Sequence, residues 1–220
     1  DTALAACSAA VLDTARGIVG RESLSMARGQ AELLMPMVAR VMDQAGADFR
    51  ALDRIAVTIG PGSFTGLRVG ISAARGLALA SGKPAVGLTT LAAFAAPHIA
   101  ANDAEPVISV VDARHQHVYL QVFGAGGRTL VPPRIASLRE AVRAADVGPI
   151  RIAGNAAEML AAVWPDAMRA PVLVDQRAAA EIDWVVRLGA AAPDSRTPPK
   201  PLYLRAPEAK PQDAARLPRR

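Results

Sequence analysis

Gly60-Pro61-Gly62-Ser63-Phe64-Thr65-Gly66-Leu67-Arg68-Val69-Gly70 sits between a short apolar run, Asp53–Ile59, and a long helical pattern reaching about Ser81. Glycine and proline at this density, between a buried strand and a helix, mark a tight turn with exposed backbone. Gly60 and Gly62 can take dihedral angles closed to other residues. Ser63 is placed to cap the helix, whose first N–H groups suit an anion. Sharper templates fail on spacing. A P-loop needs four residues between its glycines and then Lys. Here five residues separate Gly60 from Gly66, and Leu67 takes the lysine's place. A hydrolase nucleophile elbow needs glycine two residues either side of the serine. Ser63 has Pro61 and Thr65 there. Two readings stay open: a closely packed strand–helix corner, or a phosphate contact through Gly60, Gly62, Ser63 and Thr65.

The helix that follows is apolar on two sides. Leu67, Ile71, Ala74 and Ala78 line one face, and Val69, Gly76 and Leu79 another. Gly66, Gly70 and Ala74 recur at four-residue steps, so another backbone can approach closely. Arg68, Ser72 and Arg75 form a narrow polar stripe. A helix apolar on two sides is buried on two sides; its second neighbour is either within the chain or on a partner. A further helical pattern runs from Met26 to Ala45, with Leu34, Met37, Val38, Val41 and Ala45 at three- and four-residue steps, Pro36 inside and Gly46 as a stop. Its methionine-rich face, including Met42, is of an adaptable kind common at binding surfaces.

Outward from these two helices the chain reads as a mixed α/β protein. Cys7–Leu12, Ala85–Leu88, Val107–Val111, Val118–Phe123, Gly148–Ala153 and Pro171–Val174 suit strands. Helices are expected from Thr89 or Thr90 to Ala96, from Asn155 to Trp164, and from Asp175 to Leu188. The polar break at His98–Glu105 is taken as a boundary. Residues 1–100 then form a first lobe, 101–192 a second, and 193–220 a Pro- and Arg-rich tail. The halves echo each other: Asp1 and Asp112 each lead into a turn and strand, and each half has a strand–glycine–helix unit. Such a duplication gives two lobes with mixed sheets and flanking helices.

The 220 residues are 51% hydrophobic but only 4% aromatic. No apolar run approaches the roughly 18 residues of a membrane span, no secretory leader is evident, and the single Cys7 cannot form an internal disulfide. A soluble cytoplasmic protein is expected. Of the net charge of +5, four units lie in 193–220, where seven basic residues face three acidic ones. This section reads as a solvated or strapping appendix, with direct RNA contact as the alternative. His115 and His117 lack a third ligand and read as a surface pair. Asp1 and Asp112 lack the further acids of a two-metal site. Cys7 reads as a small core residue.

The segment GPGSFTGLRVG resembles the signature of the TsaB family, partner proteins in tRNA threonylcarbamoyladenosine synthesis. The resemblance extends to Asp1-Thr2-Ala3 with Ala6-Cys7-Ser8, to Leu34–Val38, to Asp112-Ala113-Arg114 with Val118-Tyr119, and to Pro201–Arg205. It implies a two-lobed actin-like, ribonuclease H-like fold in a non-catalytic subunit. That subunit docks on a TsaD-type catalytic subunit through first-lobe helices, with a TsaE-type ATPase joining and tRNA reached through the complex. The expected interface is Leu34, Met37, Val38, Val41, Met42, Leu67, Arg68, Gly70, Ile71, Ala74 and Arg75. A homodimer is expected when the chain is alone, and ATP or ADP only in the complex. Three features depart from the family: its apolar strand before Asp1 is not in this sequence, Gln30 stands where histidine is common, and no glycine-rich phosphate hairpin follows Asp112. The alternative is a stand-alone enzyme of the same fold, an ATP-dependent kinase or a glycoprotease-like peptidase.

Overall fold

The computed structural model describes residues 1–193 and 197–205. The readings of the tail that rest on 194–196 and 206–220 lie outside the described residues. The first half opens with an antiparallel hairpin, β1 (Ala6–Asp13) and β2 (Gly17–Ser25). Asp13 Oδ1 accepts from the Ala15 and Arg16 N–H groups in the turn, and Gly17 follows at φ 86°. Then come α1 (Gln30–Ala45), β3 (Ile55–Gly60), α2 (Phe64–Ser81), β4 (Ala85–Thr89) and α3 (Thr90–Ala101). β3 and β4 pair in parallel with α2 crossing between them. The second half contains β5 (Val107–Asp112), β6 (His117–Phe123), β7 (Thr129–Ser137), α4 (Leu138–Ala144), β8 (Arg151–Gly154), α5 (Ala157–Ala161), β9 (Leu173–Gln176) and α6 (Ile182–Ala191). Its sheet has the order β7-β6-β5-β8-β9, antiparallel through β7, β6 and β5 and parallel through β5, β8 and β9.

Both halves thus combine an antiparallel hairpin with a parallel pair, the duplicated mixed α/β arrangement the sequence suggested. They differ at one place. In the second half β5 joins hairpin to parallel pair. In the first half the β1–β2 and β3–β4 ladders are separate sheets. A cavity of about 850 Å³ lies between them, lined by Val11, Val38, Val57, Ala74 and Val185 among others.

Several boundaries move. α1 begins at Gln30, not Met26, and runs unbroken through Pro36. α3 continues past Ala96 to Ala101, because Arg151 holds its end. The buried guanidinium donates to the carbonyls of His98, Asn102 and Glu105, pinning the last turn of α3 and the loop that leaves it. β2, β7 and α4 carried no expectation from sequence. β7 contains Pro132 and Pro133 and lies at the sheet edge, where proline removes no needed ladder donor.

One face of the second sheet packs Ile108, Val110, Leu120 and Ile152 against α4 and α5. The other face packs Val107, Val111 and Phe123 against Leu91 and Phe94 of α3, and against Ile182 and Val185 of α6. α6 follows the second sheet in sequence yet also packs on β1 and β3. In this way α3 and α6 fix the position of α2 and its corner relative to the second sheet.

Candidate functional site

The Gly60–Gly70 segment is a corner packed against the chain's own N-terminal stretch. Ser63 N–H donates to Ala3 O at 2.7 Å, and Thr2 Oγ1 donates to Gly66 O at 2.7 Å, the latter bond buried. Glycine is required here for space. A Cβ on Gly62 or Gly66 would run into the backbone oxygens of Ala3 and Thr2, and one on Gly70 into Thr2 Oγ1. Gly60 has φ 113°, a conformation that glycine alone takes cheaply, and the Gly60–Pro61 bond is cis. Ser63 caps α2 by accepting from Gly66 N–H at 3.3 Å. Ser63 and Thr65 are exposed, while the backbone around Gly60 is covered by Leu202.

Leu202 belongs to the segment 197–205, which returns across the first half. Its N–H donates to Ile59 O at 2.8 Å, continuing the hydrogen bonding of β3. Tyr203 stacks on Phe64, with ring centroids 5.6 Å apart and planes 27° from parallel. The Arg68 guanidinium lies 3.8 Å from the Phe64 centroid, and its Nε donates to Tyr203 Oη at 3.4 Å. Phe64 therefore contacts both Tyr203 and Arg68, yet its residue remains 52% exposed. Along the same outward side of α2 lie exposed Ser72, Arg75 and Gly76, and then Leu79 at 86% exposure. On α1, Met35 is 46% exposed.

The structure redistributes the residues expected at a partner interface. Leu34, Met37, Val41, Met42, Leu67, Gly70, Ile71 and Ala74 are buried in the chain's own core. Leu34, Met37 and Val41 pack with Cys7 and against Val38, Val69 and Ala73, while Leu67, Ile71 and Ala74 pack with Ala3 and Val57. The three- and four-residue spacing had marked the inward stripes of both helices. Of the eleven expected interface residues, only Arg68 and Arg75 are exposed, with Val38 half-buried. Leu79, placed on an apolar stripe by its spacing, faces outward, and Phe64 was read only as part of the turn. Exposure of this kind leaves no period in the sequence.

The other candidates are engaged locally. Asp1 Oδ1 accepts from Ala3 N–H at 2.8 Å and from Thr58 Oγ1. Asp112 Oδ1 accepts from Arg114 N–H at 2.7 Å, and Asn155 Oδ1 accepts from Asp112 N–H at 2.9 Å. His117 Nδ1 meets His115 O at 2.7 Å. Cys7 is buried, and burial pushes its thiol above the usual range. Among the described residues no group of three or more His, Cys, Asp or Glu is disposed to hold a metal ion. Sequence reading passed over His98. It is buried between α3 and the second sheet, with Nε2 2.9 Å from Asp175 Oδ2. Desolvation lowers its pKa, outweighing the attraction of Asp175.

Two α/β halves, each containing an antiparallel hairpin and a parallel strand pair, place the chain among two-lobed actin-like, ribonuclease H-like proteins. Comparison with known proteins narrows this. Residues 9–177 match the family described as TsaD: tRNA N6-adenosine threonylcarbamoyltransferase. The tRNA threonylcarbamoyladenosine biosynthesis protein TsaB of Escherichia coli is 36% identical over 119 residues, 54% of this chain and 51% of that protein. An uncharacterized protein of Mycobacterium tuberculosis is 33% identical over 220 aligned positions, covering 96% of this chain and 92% of its own. A crystal structure of an uncharacterized Pseudomonas aeruginosa protein with similarity to peptidase YEAZ superposes with a TM-score of 0.79 at 28% identity, covering 93% of this chain and 97% of that one. The chain belongs to the TsaB family, within this wider threonylcarbamoyltransferase-related group. The matched region spans about half the length of the relatives that carry the TsaB name.

Proposed function

We propose that this chain is a non-catalytic cytoplasmic subunit that docks on a TsaD-type catalytic subunit and supports threonylcarbamoyl transfer to the tRNA adenosine next to the anticodon. The observation that carries this reading is the outward side of α2, where Phe64 and Leu79 stand 52% and 86% exposed. Large apolar side chains grouped on one helix face, with arginines between them, are the composition of an interface centre. Asp1 and Asp112, the acids best placed by sequence for chemistry, are held in turns, which supports assigning catalysis to the partner. A TsaE-type ATPase joins the assembly, and nucleotide is bound there rather than by this chain alone. Without a partner, the same α2 face pairs two copies.

Copurification with the catalytic subunit tests this. Leu79→Arg and Phe64→Ala are expected to lower capture at least tenfold while thermal melting of the isolated chain stays within a few degrees. Val41→Glu is unsuitable, since Val41 is 1% exposed and a carboxylate there would unfold the core. Full capture by both exposed variants would refute α2 as the docking face. Micromolar ATP binding by the isolated chain in calorimetry would favour the enzyme reading instead.

A further inference from the structure

A second charged surface lies on the second half, where its first turn meets the returning segment: Arg205 Nη1 donates to Ala113 O at 3.3 Å. Between Ala113 and Ala145 five arginines stand against one acid, Glu140. Arg114 and Arg139 lie by one end of the β6–β7 ladder, Arg134 stands part-way along β7 opposite Leu120, and Arg143 is on the last turn of α4. Arg114 lies in the tight turn before β6, where Arg114, His115 and Gln116 all have positive φ of 66°, 52° and 62°. Non-glycine residues in that region carry a backbone cost and persist where the surroundings hold them. The turn is held by Ala113 N–H donating to His117 O at 3.0 Å, and by Leu138 N–H donating to Gln116 O at 3.3 Å. The second bond seats the first turn of α4, with Arg139, directly against the basic turn. His117 pairs across the ladder with Ser137, the residue that caps α4.

The lone acid is committed. Glu140 Oε2 accepts from Ser137 N–H at 2.8 Å and Ser137 Oγ at 2.7 Å. Those hydrogen bonds first, and then the charges of Arg134 and Arg143, hold its carboxyl below the usual range. Arg143 lies three residues beyond Glu140 on α4, hence on the same side of that helix, and the charge of Arg134 on β7 also acts on that carboxyl. Arg114, Arg134, Arg139 and Arg143 are exposed, as are His115 and His117. None of the four arginines has an ion pair among the salt bridges of the described residues.

We propose that this patch on the second lobe contacts the phosphate backbone of the tRNA substrate directly. The inference builds on the proposed place of the chain in a tRNA-modifying assembly and adds a surface on β6, β7 and α4 to that of the docking helix. Exposed arginines without base-reading geometry suit phosphates, which fix position without reading sequence. The signature of such contacts is salt dependence, because each neutralised phosphate releases counterions.

The test uses the full chain, alone and copurified with its catalytic subunit, and tRNA binding by fluorescence anisotropy at several salt concentrations. In Arg114→Ser/Arg139→Ser/Arg143→Ser the slope of log affinity against log salt should fall by about three, roughly one per lost phosphate contact. All three sites are exposed, so an unchanged melting temperature should accompany the loss. The same fall should appear in a chain lacking residues 206–220. An unchanged slope in the triple variant, or a change that vanishes once 206–220 are removed, overturns the proposal. So does loss of partner capture by the triple variant, which would make the patch a protein-binding surface. Failure of the wild-type chain to capture any catalytic subunit would count against the docking reading alone, because the slope is also measured on the isolated chain.

Discussion

Gly66→Ala tests why the corner before α2 is rich in glycine. A Cβ added at Gly66 would stand 2.0 Å from Thr2 O, and the next nearest atom, Thr2 C, 3.2 Å away. The obstacle is backbone, so relief requires α2 and the Thr2–Ala3 stretch to separate by about 1 Å. Two hydrogen bonds span that boundary, Thr2 Oγ1 to Gly66 O and Ser63 N–H to Ala3 O. Losing both costs about 1–3 kcal/mol. The disturbed packing of Leu67 and Ile71 against Ala3 and Val57 adds about 1–3 kcal/mol by the usual cost of overfilling a core. The expected total is about 2–6 kcal/mol, offset by less than about 1 kcal/mol from the better helix propensity of alanine. For a chain of this size each kcal/mol moves the melting temperature by about 2–4 °C. Differential scanning calorimetry should therefore show a fall of roughly 2–24 °C, about 10 °C at the middle of these ranges. Gly76→Ala provides the control within the same helix. Nothing lies within 4 Å of its added Cβ and its φ is ordinary, so the substitution should leave stability unchanged or raise it by about 0.4–1 kcal/mol. Equal melting temperatures for the Gly66 variant, the Gly76 variant and the parent would refute the close-approach explanation. The motif would then have to be explained by ligand contact.

Two further outcomes follow from the boundary between the halves. Arg151→Met removes the donors that hold the His98, Asn102 and Glu105 carbonyls. Urea unfolding should show a loss of about 2–5 kcal/mol, since three charge-assisted hydrogen bonds from a buried guanidinium are removed together, and amide exchange should rise first at the C-terminal end of α3. His98 has a folded pKa below its ordinary value of 6.5, with desolvation the first cause. The unfolded chain therefore binds its proton more readily. Stability from this group is complete above pH 6.5 and declines as pH falls from there to the folded pKa. The urea midpoint should drop between pH 7.5 and pH 5.5, and His98→Gln should reduce that drop.

What the sequence made legible is what leaves a local pattern. The β3–α2 corner, the Ser63 cap and the stop at Gly82 are written in adjacent residues, and the structure places them within a residue of expectation. The Thr89 cap of α3 is of the same kind. β2 alternates weakly and carries Arg21, Glu22 and Ser23 on a largely exposed hairpin arm, so no hydrophobic period announces it. β7 hides behind Pro132-Pro133, which argue against a strand unless one knows that it lies at an edge. The end of α3 depends on Arg151, about fifty residues away in sequence, and no local reading can supply that partner.

The site shows the same division more sharply. Periodicity locates the apolar faces of α1 and α2 but is blind to which face the chain keeps for itself. Leu67 and Ile71 at four-residue spacing are core because Thr2 and Ala3 close over them. Phe64 and Leu79, fifteen residues apart on α2, stay exposed on its outward side, Phe64 even with Tyr203 and Arg68 against its ring. A core needs every turn of a helix to contribute inward, so it repeats and can be read. A docking face needs only a few anchors, whose positions are set by another molecule's surface. The glycines of the signature belong to the first kind. They bring α2 against the N-terminal stretch, and by fixing that inner contact they determine which side of the helix is left to face a partner.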